Sequence, residues 1–432
     1  MRKRMLAAVL LLCAALMPAA AFAARYEVGN QEQFLAAIAE INAGSSASDE
    51  IVMTADIDIG KGNSGPLNTV VLRRGDVTLF GEGHTLALYS DSLGVTDSAK
   101  LSLGAADYGK TLKLVSRDNT QCLIGLTGNG QLFMYDGVSM GESSYAGGQA
   151  AGVGMNGSSQ FTMYGGRIYE CHNWASVAGG VFVDDNCVFT MYDGVIEDCS
   201  GWQGGAVGVT KNGVFNMKGG TISGCTDYWY GGGGVCAMYG NPKFTMDGGV
   251  IRDCVSSGSD AGGGAVYMYG GEVELNAGEI TGSESNIYAG GVLVHKGKAT
   301  ISSAMKIHNN TAAEAADDVL VYNGTVSLGD VPSGLKLEEC GDPITGWYVD
   351  GALNEEDYPR WNVHESGEVS AVAYTPGSGF VPHVTGLKAA HGDVIPGANL
   401  PATGDRSQMA LLALVLTGAI AYGALLRAKK EA

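Results

Sequence analysis

The chain has 432 residues, a net charge of −19, and 67 glycines against 10 prolines. Glycine at about twice its ordinary share, without a three-residue period, excludes collagen, and an apolar content of 45% excludes a wholly disordered chain. The acidic balance excludes a nucleic-acid partner, because no basic surplus is available to neutralise phosphates.

Residues 1–23 read as a secretory signal peptide. Arg2, Lys3 and Arg4 precede an apolar stretch over 6–16, and Ala21-Phe22-Ala23 forms a small-residue cleavage site. Residues 24–50 are a capping segment. Asn30 is placed to N-cap a helix over 31–42, with Gln33 completing a capping box. Phe34, Ile38 and Ile41 fall on one face of that helix, fit to cover the first turn of whatever follows.

Residues 51–330 form a repeat body. Its early turns, at 51–59, 70–79, 85–89 and 100–114, are irregular; thereafter a motif recurs. Phe161-Thr162-Met163-Tyr164-Gly165-Gly166 returns as Phe189-Thr190-Met191-Tyr192-Asp193-Gly194, then as Phe215-Asn216-Met217 and Phe244-Thr245-Met246. The Met register runs Met134, Met163, Met191, Met217, Met246, Leu275, Ile301, in steps of 29, 28, 26, 29, 29 and 26. Each copy has three short apolar pieces: one after a glycine pair, as in Gly179-Gly180-Val181-Phe182-Val183; the alternating Phe-x-Met piece; and one carrying Ile168, Ile196, Ile222, Ile251 or Ile280. Glycines lie at the corners, where positive φ is cheap. No copy holds a helical pattern, which excludes ankyrin- and TPR-type arrays. The expected fold is all-β: a right-handed parallel β-helix with three strands per turn, whose equivalent side chains stack into internal ladders about 4.8 Å apart.

These repeats resemble adhesin-like members of the pectin-lyase-like superfamily, and the Gly-Gly-x-Val pieces resemble polymorphic outer-membrane-type repeats. The resemblance covers roughly residues 50–330. It implies the fold and leaves the activity open, since that fold hosts lyases, hydrolases and binders alike.

Outside the signal segment the chain has eight cysteines, and Cys171, Cys199, Cys225 and Cys254 share one repeat position eight residues after the Met. Two readings stand for this column: stapling disulfides between adjacent turns, or small buried thiols acting as apolar filler. Eight cysteines allow 105 pairings, and spacing does not choose among them. Neither a Cys-x-x-Cys pair nor a His cluster is present, so no metal or cofactor is expected. Glu170, Asp198, Gly224 and Asp253 precede the four cysteines; the interrupting Gly224 separates Asp198 from Asp253 by two turns, so the acids read as solvated corner residues. Asp184-Asp185 reads as a surface turn, and Arg167 and Arg252 stand isolated. Pectate lyases of the resembled superfamily pair calcium-binding acids with an Arg, and polygalacturonases cluster several Asp; no such set is legible, and no catalytic residue is assigned.

Aromatic residues precede the glycine pairs: Tyr145, Trp202, Tyr230 and Tyr288, with Trp174 and Trp229 nearby. They are expected along one edge of the solenoid, either as a ridge for sugars or a protein ligand or as cover for their own loops.

Residues 319–328 read as a last turn, 331–374 as a small β-rich cap or module, and 375–399 as an extended Pro/Gly-containing stalk. Residues 400–432 begin Leu400-Pro401-Ala402-Thr403-Gly404, continue through 18 uncharged residues at 409–426, and end on Arg427, Lys429 and Lys430. Motif, span and basic tail in this order resemble the LPxTG sorting signal of Gram-positive cell-wall-anchored proteins. The resemblance implies that a sortase cleaves between Thr403 and Gly404 and joins Thr403 to peptidoglycan, with the membrane touched only by the precursor; a plain C-terminal membrane anchor is the alternative. Such processing removes seven of the 26 cations and two of the 45 acids, leaving a net −24. The expectation is a secreted, peptidoglycan-anchored, non-enzymatic surface protein that binds host or microbial glycans, matrix proteins or cells in the manner of an adhesin. A wall-tethered polysaccharide lyase or glycoside hydrolase is the alternative, and a passive spacer a third reading.

Overall fold

The Phe-x-Met register becomes a column of paired strands. Leu132, Phe161, Phe189, Phe215 and Phe244 are successive parallel partners, as are Met134, Met163, Met191, Met217 and Met246. The column continues through Leu275 to Ile301. The structure, a computed structural model, describes residues 23–329 except 45–47, 63–69, 90, 119–121, 148–149, 176, 259–261, 303, 314–317 and 322–323. Beyond these it describes the strands Ile344–Val349, Gly367–Ser370 and Thr385–His391.

The chain winds as a mostly parallel β-solenoid of about ten circuits, here called rungs. One rung runs Val181–Val183, Val188–Met191 and Val195–Glu197, then adds a two-residue pairing at Ser200–Gly201. The three expected strands are therefore joined by a short fourth. The first two strand columns belong to one sheet, and the third column and the short pairings to another.

Like residues meet because partners sit 26 to 29 residues apart in the same pleat phase. Phe161, Phe189, Phe215 and Phe244 are fully buried. Their rings stack at 4.7, 4.8 and 5.1 Å between centroids, with planes within 10° of parallel. Ile168, Ile196, Ile222, Ile251 and Ile280 form the facing ladder. Burying each such side chain contributes about 1.5–3 kcal/mol, and each rung buries its apolar face only against its neighbours.

The corners explain the glycine content. Gly166, Gly194, Gly220, Gly249 and Gly278 all have positive φ. A Cβ on Gly194 would lie 2.6 Å from the Met163 methyl of the preceding rung, so this corner glycine both turns the chain and seats the Met ladder.

At the N-terminal end Asn30 accepts from the Gln33 N–H at 3.0 Å and starts the helix Gln31–Ala43, as expected. The return bond differs: the Gln33 side chain accepts from the N–H of Gly29 (2.7 Å), one residue before the N-cap. Phe34, Ala37, Ile38 and Ile41 are buried in the common core. The strand Arg25–Val28 already pairs in parallel with Asp49–Met53, so the ladder starts before residue 51 and the helix is an insertion within its first circuit.

At the far end the strand pairing turns antiparallel. Thr385–His391 lies inside the segment 375–399, yet it pairs antiparallel with Val319–Val321 of the last rung and with Ile344–Val349. Gly367–Ser370 pairs antiparallel with Thr325–Gly329. Antiparallel partners satisfy the backbone groups that a further parallel rung would otherwise take. The three prolines of 375–399 flank this strand, and of its glycines Gly386 lies within it.

Candidate functional site

The sorting residues Leu400, Pro401, Ala402, Thr403 and Gly404, the span 409–426 and the basic tail lie outside the described residues, as does the signal segment through residue 22. Among the described residues no helix is long and apolar enough to cross a membrane, and no group of three His, Cys, Asp or Glu side chains is placed to hold a metal ion.

The acids before the cysteine column have a backbone explanation. Glu142, Glu170, Asp198, Gly224, Asp253, Gly282 and Asn309 occupy one corner and all have φ between +47° and +63°. Gly, Asn and Asp tolerate that left-handed conformation best. Five of these seven are the residue types that the turn admits best, the exceptions being Glu142 and Glu170; Glu170, Asp198 and Asp253 are exposed, and Gly224 breaks their succession.

Cys171, Cys199, Cys225 and Cys254 are buried and stand as thiols. Each sulfur donates to the carbonyl two residues earlier: to Tyr169 at 3.4 Å, and to Glu197, Ser223 and Arg252 at 3.3 Å. Four equal orientations place successive sulfurs about one rung apart, roughly 4.8 Å, against about 2.05 Å for an S–S bond. A disulfide would require one thiol of a pair to rotate off its carbonyl. Burial pushes the Cys225 thiol well above its ordinary value, and Cys199 and Cys254 beside it act in the same direction.

Two arginines and an acid pair are less simple than the sequence suggested. Arg167 is not isolated: it pairs with Glu197, and its guanidinium lies 4.3 Å from the centre of the Tyr169 ring. Arg252 pairs with Asp253 at 2.7 Å. Asp184 is buried rather than superficial, because Thr210 Oγ1 donates to it at 2.7 Å and Lys211 reaches both Asp184 (2.8 Å) and Asp185 (2.7 Å). Lys211 holds the Asp185 carboxyl below its ordinary range. Glu142 is likewise held low, first by Lys113, with Tyr169 and Arg117 also bonded to it.

The four residues of the expected ridge do not form one file. Tyr145 packs half-buried against the main core. Tyr230 and Tyr288 pack against Cys236, Met238, Tyr267 and Leu293. Only Trp202 joins an outward stack, with Trp229, at 5.3 Å between ring centroids and 15° between planes. Beside it Trp174 stacks on Tyr228 at 5.5 Å and 11°, two rungs away. Trp174 is 53% exposed and Trp229 46%.

Buried polar groups hold these loops. Asn173 accepts from the Ala175 N–H at 3.0 Å and donates to the Gly147 carbonyl. Gly201 pairs with Asp227 of the following rung. Asp227 has no exposed surface and accepts from the N–H groups of Gly231 (2.6 Å), Trp229 (3.0 Å) and Gly204 (3.4 Å). Burial pushes its carboxyl well above the ordinary 3.8, against the pull of those donors.

Two pairings escaped the sequence reading. His172 Nδ1 and Ser200 Oγ, one rung apart, are 2.7 Å from each other, and the His172 ring lies 5.9 Å from that of Trp174. Tyr135, Tyr164 and Tyr192 form an exterior stack with centroids 5.1 and 5.4 Å apart. The Tyr after Met134, Met163 and Met191 was the available signal. Comparison with protein families, with characterised proteins and with solved structures finds no match.

Proposed function

We propose that the chain is a secreted, non-enzymatic surface protein, joined by a sortase to peptidoglycan through Thr403, whose solenoid body binds glycans, matrix proteins or cell surfaces as an adhesin does. The export and anchoring parts rest on the arrangement of residues 1–23 and 400–432. The winding is taken as right-handed, the hand that parallel crossovers adopt in nearly every case, and the helix Gln31–Ala43 as the cap of the first circuit.

The observation that carries the binding role is the pair of outward aromatic stacks, Trp174 on Tyr228 and Trp202 on Trp229. Large aromatic rings kept in water at a fixed spacing are typical binding anchors. The acids do not require a catalytic role: the corner column follows from backbone conformation, while Glu142, Asp184 and Asp185 are engaged by cations.

Recombinant residues 25–399 on glycan and matrix-protein arrays test the reading. Binding that Trp202→Ala removes at an unchanged melting temperature supports it. Depolymerisation of an arrayed polysaccharide would overturn it in favour of an enzyme, and absence of any ligand in favour of a spacer. Thr403→Ala is expected to move the protein out of the covalently wall-bound fraction.

A further inference from the structure

The adhesin reading leaves the ligand class open; the corner around Trp174 narrows it. His172, Ser200 and Thr226 are successive partners, so Trp174, Trp202 and Tyr228 each stand two residues past a paired position on three successive rungs, with Trp229 next in the chain. The rings sort into two stacks, Trp174 on Tyr228 and Trp202 on Trp229. Their loops are pinned beneath by Asn173 and Asp227, both without exposed surface. The rings are therefore ordered before any ligand arrives, and that ordering is not a cost of binding.

The chemistry of the exposed apolar surface is selective. Among the described residues the exposed large hydrophobic side chains are Tyr164, Trp174, Tyr192, Trp229 and Tyr239. All are aromatic with a polar tip, and none is Leu, Ile, Met or Phe. A protein-docking core draws on Phe and Met as well as Tyr and Trp. Beside the rings stands the half-buried His172 imidazole, whose Nδ1 is held at 2.7 Å by the hydroxyl of the buried Ser200. The chain as a whole is strongly acidic, at −19, and repels polyanions.

We infer that this corner binds an uncharged pyranose polysaccharide, with sugar faces on the open sides of Trp174 and Trp229 and a sugar hydroxyl bonded at the His172 imidazole, which the buried Ser200 orients. The inference rests on the binding role proposed above. An apolar platform with few convergent hydrogen-bonding groups is the usual make-up of a small-molecule site. The Tyr135–Tyr164–Tyr192 column differs, because its middle ring is covered on both faces by its neighbours and presents its edge.

The test titrates the purified full chain with three neutral polysaccharides (mannan, xyloglucan and amylose), two polyanions (heparin and hyaluronan) and two proteins (fibronectin and collagen). Tryptophan emission and acrylamide quenching are the readouts. The expected result is a neutral glycan bound at least tenfold more tightly than either polyanion, with quenching reduced on binding. Trp174→Ala and Trp229→Ala each weaken it at least tenfold; Tyr192→Ala leaves it unchanged. If an alanine variant fails to fold, Trp174→Phe and the quenching protection of the unsubstituted chain decide. Neutral-glycan binding that survives both substitutions overturns the site, and binding confined to polyanions or proteins overturns the ligand class. Both leave the adhesin reading intact. No binding to any probe overturns both.

Discussion

The ring of Phe189 lies over that of Phe161 with centroids 4.7 Å apart and planes 8° from parallel, although 28 residues separate them in the chain. Phe215 repeats the relationship on the other side of Phe189. A stacked column of fully buried rings leaves each interior member without room to relax, because neighbours above and below are fixed by in-register strands.

Phe189→Ala should therefore cost about 3–5 kcal/mol, near the upper range for core truncations. Denaturant titration checks the magnitude. Hydrogen exchange should show the loss concentrated in the strands holding Phe161, Phe189 and Phe215, because each rung depends on its neighbours. An effect below about 1 kcal/mol would contradict the ladder.

The corners make an opposed pair of predictions. Gly194→Ala combines φ of +102° with a Cβ 2.6 Å from the Met163 methyl, and should destabilise by about 1–3 kcal/mol. Asp198→Gly, at φ +53° in an exposed corner, should be neutral or mildly stabilising, whereas Asp198→Val should cost about 1–2 kcal/mol. Melting temperatures of the three variants decide; equal losses for Asp198→Gly and Asp198→Val would remove the conformational account of the acid column.

Two acids should respond to pH in opposite senses. Asp227 is raised by burial, so its contribution is fully present below its ordinary 3.8 and is lost as pH rises through the higher folded value. Glu142 is lowered by Lys113, so its contribution is present above its ordinary 4.5 and is lost on acidification. Relative to the unsubstituted chain, Asp227→Asn should gain stability as pH rises from 3 to 7, and Glu142→Gln should lose it. Thermal melts across that range read both slopes, and parallel curves would contradict the assignments.

The cysteine column predicts a thiol pattern. Cys171, Cys199, Cys225 and Cys254 should resist a thiol reagent in the native chain and react fully in denaturant without reductant, mapped by mass spectrometry of the labelled peptides. A reductant requirement at any of the four would show a bond that the shared thiol orientation disfavours.

The ladders were legible because identical residues recur in phase: Phe, Met, Ile and Cys each mark one position of the rung, and strand pairing follows directly. The helix was legible from Asn30 and its apolar face. Apart from the Tyr135–Tyr164–Tyr192 stack, what escaped was mostly what depends on one rung meeting another through unlike residues. His172 and Ser200 look scattered until register places them together. Trp174 reaches Tyr228 past the intervening rung, which no fixed repeat spacing announces. In the sequence the left-handed corner shows as acids rather than as a conformation, because Glu170, Asp198 and Asp253 share charge as well as φ. Thr385–His391 lacks the repeat entirely, since its partners are antiparallel.

Register also makes the length of this molecule an integer. Phe189 and Phe215 are equivalent points, so excising residues 189–214 joins Val188 to Phe215 and meets the same neighbours above and below. The product would be shorter by one step of about 4.8 Å with an unchanged cross-section. Duplication lengthens it by the same quantum, so the distance between its two ends can change without redesign of either.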